Sequence, residues 1–240
     1  MVKLLKEILI FHKWVYCIFK KNLTLDELKC GRLSFSQFGE DILLESLFGR
    51  KKKHGFYVDV GAFNPVRNSN TYLFYKKGWN GINIEANPKH FERFPASRKR
   101  DVNLNLAVSD TKSTVEFTCD GSFSGIRDEN YSSKDSNRKT ATTIKVETHT
   151  LKEIFEKHLP KDTSIDFISI DCEGHDEKVV KSNDWELYRP KVVLVEQHGD
   201  RVKGEIYDYL QKYGYRFYCR IGLTLAFLVE EECSSHFQED

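Results

Sequence analysis

The sequence has few of the features that mark nucleic-acid-binding, metal-binding or disulfide-bonded proteins. Lysine and arginine total 37 against 36 aspartates and glutamates, so the net charge is +1. Binding to a nucleic-acid backbone as a main task needs a basic surplus, and this balance argues against it. The six cysteines include no C-x-x-C pair. This indicates no zinc site, redox dithiol or disulfide framework, and we interpret them as reduced cysteines of a cytoplasmic protein.

Long apolar runs are also lacking, because no segment approaches the ~18 apolar residues that span a bilayer. The nearest is 1–22, where Lys6, Glu7 and Lys13 interrupt the apolar positions. As a helix this segment is amphipathic, and Trp14 suits a membrane interface. Three partners therefore stay open for it: its own domain, a second copy of the chain, or the inner surface of a membrane.

The G-x-G-x-x-G run that binds a dinucleotide pyrophosphate is absent as well. A short apolar segment, 56–60, ends at Gly61, but residues 62–69 contain no further glycine. This weakens a nicotinamide-binding interpretation, because the pyrophosphate needs that glycine spacing.

The 240 residues, 40% of them apolar, are enough for a core of one or two domains. We predict a helical extension over 1–35 and one domain over 36–240. Apolar patterns predict strands at 56–60, 81–85, 102–108, 114–119, 165–170 and 192–195, with a terminal antiparallel pair at 215–218 and 225–229. Helices are predicted at 37–48, 151–159, 176–181 and 203–213, the second of them from a capping box at Thr150. This alternation is typical of a mostly parallel sheet covered on both faces.

Two acids stand at the ends of the first two predicted strands, where parallel sheets bind ligands. Asp59 lies beside the Gly61 turn, which allows close backbone approach to a ligand. Glu85 ends the second strand, where a carboxylate can accept hydrogen bonds from ribose hydroxyls. Together they favour a nucleoside-binding site.

Further ionisable groups follow two later strands. Asp171, Glu173 and His175 come directly after the apolar strand 165–170, and burying such groups is costly unless they bind something. His198 follows the strand at 192–195 and is a candidate base near neutral pH.

An acid-rich nucleoside site without a phosphate cradle points to S-adenosylmethionine. This ligand has an adenosine, a sulfonium cation and an amino-acid tail, but no phosphate. The acids at Asp59, Glu85 and Asp171 match those groups.

Seven segments, in order, carry a resemblance to a known family. They are 36–41 (SQFGED), 56–61 (FYVDVG), 69–72 (SNTY), 78–88 (GWNGINIEANP), 105–110 (NLAVSD), 165–174 (IDFISIDCEG) and 190–196 (PKVVLVE). Over about residues 34–230 the chain resembles the FkbM family of S-adenosylmethionine-dependent methyltransferases. The resemblance implies a Rossmann-like class I methyltransferase fold, a three-layer α/β sandwich with a mostly parallel seven-stranded sheet.

The resemblance also implies roles for individual residues. Asp59 and Gly61 fall on the cofactor loop, Glu85 on the ribose-binding acid, and Ala107 near the adenine-contacting stretch. Asp171 and Glu173 fall on the family's I-D-x-E-G signature, beside the transferable methyl. The predicted cofactor site is completed by Gln37, Ala62 and Ala86. The chain departs from the family at the glycine turn, where 62–65 reads AFNP, and at Asp176, where glutamate is usual.

The implied reaction is O-methyl transfer, frequently to a sugar or glycan hydroxyl in polysaccharide or natural-product biosynthesis. In-line displacement needs the hydroxyl oxygen ~3 Å from the methyl carbon, opposite the sulfur. Asp171, His175 and His198 are candidate bases in no fixed order, and Glu173 is a candidate to hydrogen-bond the acceptor. We expect no metal requirement, since no cluster has clear metal-ligand spacing.

Two other functions stay open: methylation of a nucleic acid or another small molecule, and S-adenosylmethionine binding without catalysis. The polar segment 120–141 predicts a long mobile loop. With Ser122, Phe123, Ser124 and Arg127, it forms either a lid over the acceptor or a plain surface insertion.

Overall fold

A computed structural model describes residues 30–120, 124–127, 141–199 and 202–230. The chain divides into two units, 1–33 and 34–240. The helix predicted over 1–22 lies outside the described residues, so its role and the boundary at residue 35 stay predictions. Within the described ranges no helix is long and apolar enough to cross a membrane.

The second unit contains helices and strands in alternation. The helices are α1 (Glu40–Phe48), α2 (Tyr72–Lys76), α3 (Pro88–Phe91), α4 (Phe94–Ser97), α5 (Leu151–His158), α6 (Asp176–Lys181) and α7 (Glu205–Lys212). The strands are β1 (Phe56–Val60), β2 (Asn80–Ile84), β3 (Val102–Leu104), β4 (Ala107–Val108), β5 (Thr114–Cys119), β6 (Gly125–Ile126), β7 (Thr142–His149), β8 (Phe167–Ile170), β9 (Val192–Glu196), β10 (Tyr215–Ile221) and β11 (Thr224–Val229).

Seven strands form the main sheet, in the order β10-β11-β9-β8-β1-β2-β3. The neighbours from β9 to β3 are parallel, whereas β11 runs antiparallel to both β9 and β10. The predicted mostly parallel sheet and terminal antiparallel pair are confirmed, and the sheet is mixed. Because the central strands are parallel, their carboxyl ends meet at one edge, where ligands bind in such folds.

The two faces of the sheet are covered by different helices. Within β1, Val58 packs into one apolar cluster and its neighbour Tyr57 into the other, as expected from the alternation of a strand. The first cluster includes buried residues of α5, α6 and α7, and the second includes those of α1 and α2. The predicted three-layer sandwich is therefore confirmed.

Local signals account for the helix ends. Thr150 accepts a hydrogen bond from the Glu153 backbone N–H, and Glu153 accepts one from the Thr150 N–H, so the predicted capping box starts α5. The helix predicted from residue 37 instead begins at Glu40, because Gly39 has a φ of 97° and interrupts the helical backbone.

The strand predicted over 102–108 is wrong in extent, because the segment divides into β3 and β4 at Asn105. The Asn105 side chain turns toward the end of β2 and donates to the carbonyl oxygens of Glu85 at 2.7 Å and Ala86 at 3.2 Å. Beyond this point β4 leaves the main sheet and pairs with β7.

A second, four-stranded sheet, in the order β4-β7-β5-β6, is a feature that the sequence interpretation missed. The loop predicted at 120–141 includes β6, which pairs with β5 through Phe117 and Ile126. The strand β7 was not predicted, because its alternating threonines and charges are largely exposed. Ser122 and Phe123 lie outside the described residues.

A buried arginine ties the segment after β1 to the sheet beneath it. Arg98 is fully buried, and its Nε donates to the Pro65 carbonyl at 2.8 Å. Its Nη1 donates to Tyr57 Oη at 2.9 Å, and its Nη2 donates to Thr71 Oγ1 at 3.0 Å. Thr71 Oγ1 in turn donates to Asp59 Oδ2 at 2.7 Å. This network sets the position of Asp59 relative to the sheet.

We expect Arg98→Leu to lower the free energy of unfolding by about 3–5 kcal/mol, because it leaves buried acceptors and carboxylates without their cation. Urea unfolding measures this loss. Arg93→Leu, at an exposed position five residues earlier, is the control and should cost under about 0.5 kcal/mol. Equal losses of unfolding free energy in the two variants would contradict a stabilising role of the Arg98 network.

Candidate active site

The ends of β1, β2 and β8 are joined by backbone hydrogen bonds. The N–H groups of Gly61 and Ala62 both donate to the Ile84 carbonyl at 3.0 Å, and the Asp171 N–H donates to the Val60 carbonyl at 3.0 Å. Gly61 has a φ of 77°, and a Cβ at this position would lie 1.8 Å from the Asp171 carbonyl oxygen. Only glycine allows this approach, which brings the two predicted motifs together.

The Glu85 carboxylate holds the loops after β1 and β2 in place. Its Oε2 accepts from the Phe63 N–H at 2.7 Å, and its Oε1 accepts from the Asn87 N–H at 2.6 Å. Each carboxylate oxygen has a second lone pair. Glu85 therefore retains the capacity to accept hydrogen bonds from a ligand.

The loop after β8 is organised by Asp176, the residue that departs from the family pattern. Its Oδ1 accepts from the Cys172 N–H at 2.8 Å, and its Oδ2 accepts from the Gly174 N–H at 3.0 Å. Between these donors Glu173 adopts a φ of 53°, a region that non-glycine residues seldom occupy. Strain of this kind concentrates at functional sites.

A cavity lies at this edge, between the main sheet and the second sheet. Its apolar wall comes from both sheets, from Val60, Ile84, Ala107, Val108, Phe117 and Ile126. Its polar wall includes Gln37, Asn68, Glu85, His90, Ser124, Asp171, Glu173 and His175. An apolar pocket with a few convergent polar groups is the usual form of a small-molecule site.

The structure places most of the predicted site residues around this cavity. The residues that line it are Gln37, Gly61, Glu85, Ala86, Ala107, Asp171, Glu173 and His175. Asp59, Ala62 and His198 do not. Asp59 is buried and bonded to Thr71, whereas the His198 side chain is 55% exposed and lies beside Glu196, with Nε2 and Oε2 3.3 Å apart.

Several lining residues were not predicted. Phe63 and His90 form an edge-to-face pair with ring centroids 4.8 Å apart. Ser124, which was predicted as part of the loop at 120–141, also lines the cavity, and its Oγ accepts from Asn87 Nδ2 at 3.1 Å. Phe63 lies in the segment that departs from the family pattern, and that departure was a usable signal. His90 and Ile126 carried no signal, because only tertiary packing brings them to the cavity.

Burial dominates the electrostatics of the carboxyl groups. It raises the pKa of Glu85 to about 7, although the Asn87 and Phe63 N–H groups partly oppose the shift. It raises the pKa of Glu173 to about 8, with further contributions from the negative charges of Asp171 and Asp176. A cationic ligand would favour the ionised forms of these acids.

Asp171 and Glu196 form a pair at the ends of β8 and β9. Their side chains are hydrogen-bonded to each other. Burial and the negative charge of Asp171 raise the pKa of Glu196, whereas Asp171 itself keeps exposed surface. Two carboxyl groups in such contact share a proton, since both cannot ionise cheaply. His175, the third group of this region, is buried, and its Nε2 lies 2.9 Å from Ser109 Oγ.

The fold and the cavity define a Rossmann-like α/β domain with an acid-rich small-molecule site. The family model described as Methyltransferase FkbM domain matches residues 59–217. The chain belongs to the FkbM methyltransferase family, as its motifs predicted.

Among solved structures, the chain matches a TehB-like SAM-dependent methyltransferase from Corynebacterium glutamicum. It is 11% identical, with a TM-score of 0.40, and the match covers 91% of this chain and 98% of that one. A comparison with curated proteins gives no match. The family membership rests on the family model and the motifs alone.

We expect Gly61→Ala to be far more damaging than Gly214→Ala, although both glycines have nearly equal φ, 77° and 75°. Gly214→Ala is the control. It carries only the left-handed strain of about 1–2 kcal/mol, because the atom nearest to a Cβ added at Gly214 lies 3.6 Å away. In Gly61→Ala the loops after β1 and β8 must also separate. Urea unfolding measures both costs, and equal values would contradict the close approach.

The ligand-free protein should lose stability as the pH rises through the pKa of Asp59. Burial raises this pKa from 3.8 to about 6, with the Thr71 hydrogen bond and Arg98 opposing it. A raised pKa means that the folded state favours the neutral acid, so its contribution is complete below about pH 4 and is lost as the pH rises through about 6. Asp59→Asn should flatten this part of the stability–pH curve, as measured by urea unfolding. The exposed Asp110→Asn should leave it unchanged, and an unchanged curve in Asp59→Asn would refute the assignment.

Proposed function

We propose that the protein is an S-adenosylmethionine-dependent O-methyltransferase whose cofactor occupies the cavity between the two sheets. The observation that carries the proposal is the meeting of Gly61, Glu85 and Asp171 around one cavity with an apolar wall. Membership of the FkbM methyltransferase family supports methyl transfer as the reaction.

The residues fit the three parts of this cofactor. The apolar side chains Ile84, Ala107 and Phe117 suit the adenine ring, and Glu85 has free lone pairs for ribose hydroxyls. Asp171 lies on the same cavity and suits the positive charges of the sulfonium and the amino-acid tail. The bound cofactor supplies an activated methyl group.

The protein's own contribution is positioning and proton removal. Asp171 is our candidate base, since it lines the cavity and exchanges a hydrogen bond with Glu196, which connects it to a second proton site. With the cofactor bound, its methyl group would pass from the sulfur to the acceptor oxygen, S-adenosylhomocysteine would leave, and Asp171 would accept the hydroxyl proton. The walls exclude water and hold the two reactants in line.

For the acceptor we propose a hydroxyl of a sugar or glycan, in polysaccharide or natural-product biosynthesis. The resemblance to the FkbM family supports this class. Ser124 lies where the second sheet borders the cavity, and its hydroxyl accepts hydrogen bonds from Asn87 Nδ2 and the Asp120 N–H. Transfer of labelled methyl groups to a panel of sugars, nucleic acids and other small molecules separates this acceptor from its alternatives.

We expect Glu85→Gln to weaken S-adenosylhomocysteine binding by about 10- to 100-fold, because charged hydrogen-bond acceptors contribute about 1.5–3 kcal/mol. Isothermal titration calorimetry measures the dissociation constants. Glu92→Gln, at an exposed position of the same region, is the matched control and should bind like the wild type. Failure of the folded wild-type protein to bind this ligand would refute the cofactor assignment. Binding without transfer to any acceptor would favour the non-catalytic binding module.

A further inference from the structure

Three side chains with metal-ligating atoms meet beyond the ends of β8 and β9. Glu173, Glu196 and His198 each offer one such atom, and these atoms lie within 4.8 Å of one another. Glu173 follows β8, Glu196 ends β9, and His198 comes two residues later. In the described ranges no other group of three histidine, cysteine, aspartate or glutamate side chains is gathered in this way.

The spacing of the three atoms suits one ion. Ligand atoms held at about 2.0–2.3 Å from a divalent cation lie about 3–4.5 Å from each other. The longest separation here, at most 4.8 Å, closes with side-chain movements of a few tenths of an ångström. The histidine and glutamate are already close, since His198 Nε2 lies 3.3 Å from Glu196 Oε2.

One of the ligand atoms has an unmet bonding requirement. Glu196 Oε2 is buried and accepts no hydrogen bond from an N–H or hydroxyl group of the described residues, apart from the contact between the Glu196 and Asp171 carboxyl groups described above. His198 lies within ion-pair distance of it but does not complete a hydrogen bond. A buried carboxylate oxygen without a partner is costly, and such a group calls for an explanation. A cation bound between the two side chains supplies the missing partner.

The group has one buried side and one open side. The Glu196 side chain is 11% exposed, whereas the His198 side chain is 55% exposed. Glu173 in addition lines the cavity. An ion held here keeps coordination positions that face solvent and the cavity rim, as metal sites that bind substrate do.

We propose that Glu173, Glu196 and His198 bind one divalent cation of the Mn²⁺ class at the rim of the cavity. Two carboxylates favour Mn²⁺ and Mg²⁺, and the imidazole shifts the preference from Mg²⁺ toward Mn²⁺ and later metals. This differs from the expectation of metal independence. The sequence did not indicate this site, because its three residues lie at or beyond the ends of two strands that are far apart in the chain.

A chelator-treated, full-length protein titrated with MnCl₂ tests the site. The electron paramagnetic resonance signal of free aqueous Mn²⁺ reports the bound fraction. We expect one saturable site, at least tenfold weaker binding in Glu196→Gln and in His198→Ala, and a weaker effect of MgCl₂ as competitor than of ZnCl₂.

His149→Ala is the matched control, because His149 also lies between two glutamates, 4.0 Å from Glu147 and 3.9 Å from Glu153. It should bind Mn²⁺ like the wild type. Circular dichroism shows whether each variant is folded, and the conservative His198→Gln gives a second folded variant if the alanine change is damaging. Absence of a saturable site in the wild type, or wild-type binding in both Glu196→Gln and His198→Ala, would overturn the proposal.

The metal measurement is independent of the proposed function. Mn²⁺ binding needs neither cofactor nor acceptor, and S-adenosylhomocysteine titration after chelation tests the cofactor site separately. A role of the ion in orienting an acceptor oxygen rests on the proposed function. If that role holds, chelation lowers methyl transfer while S-adenosylhomocysteine binding stays within about twofold of the metal-loaded protein.

Discussion

The close approach of two backbone segments, at Gly61 and Asp171, is the constraint on which the candidate site depends. Parallel pairing brings the carboxyl ends of β1 and β8 side by side, and the absence of a Cβ at Gly61 lets the Asp171 carbonyl lie where a side chain would otherwise be. The Glu85 carboxylate then binds backbone N–H groups from both neighbouring loops. The cavity is therefore bounded by main-chain geometry before any ligand enters.

A second constraint is the electrostatics of the buried carboxyl groups. The site concentrates carboxyl groups at one edge of the sheet, and burial works against their ionisation. The only fully buried arginine of this region, among the described residues, lies on the far side of Asp59 and bonds to Tyr57, Thr71 and Pro65. The negative charge of the acids that face the cavity is therefore offset either by protonation or by a cation that binds there. That arrangement suits a cationic cofactor, and at the rim it suits a metal ion.

Much of the fold could be predicted because its signals are local. The strand at 56–60 and the helix at 176–181 were predicted with their observed bounds, since the first is a short, mostly apolar segment closed by Gly61 and the second follows a polar loop. The capping box at Thr150 was also local. The second sheet was not predicted, because β7 is mostly exposed and β6 has only two residues. Both strands pair with β5, and no residue pattern within them indicates that pairing.

The sequence by itself determined the family, the strands of the main sheet and the acids that end them, because each of these depends on residue type and short-range spacing. Only the tertiary structure decided which of those acids share a cavity. It placed Asp59 beneath the site and His198 at its rim beside Glu196, and it brought Phe63, His90 and Ile126 to the cavity wall. The reason is that these contacts join residues far apart in the chain, and strand order in the sheet, rather than order in the sequence, sets their distances.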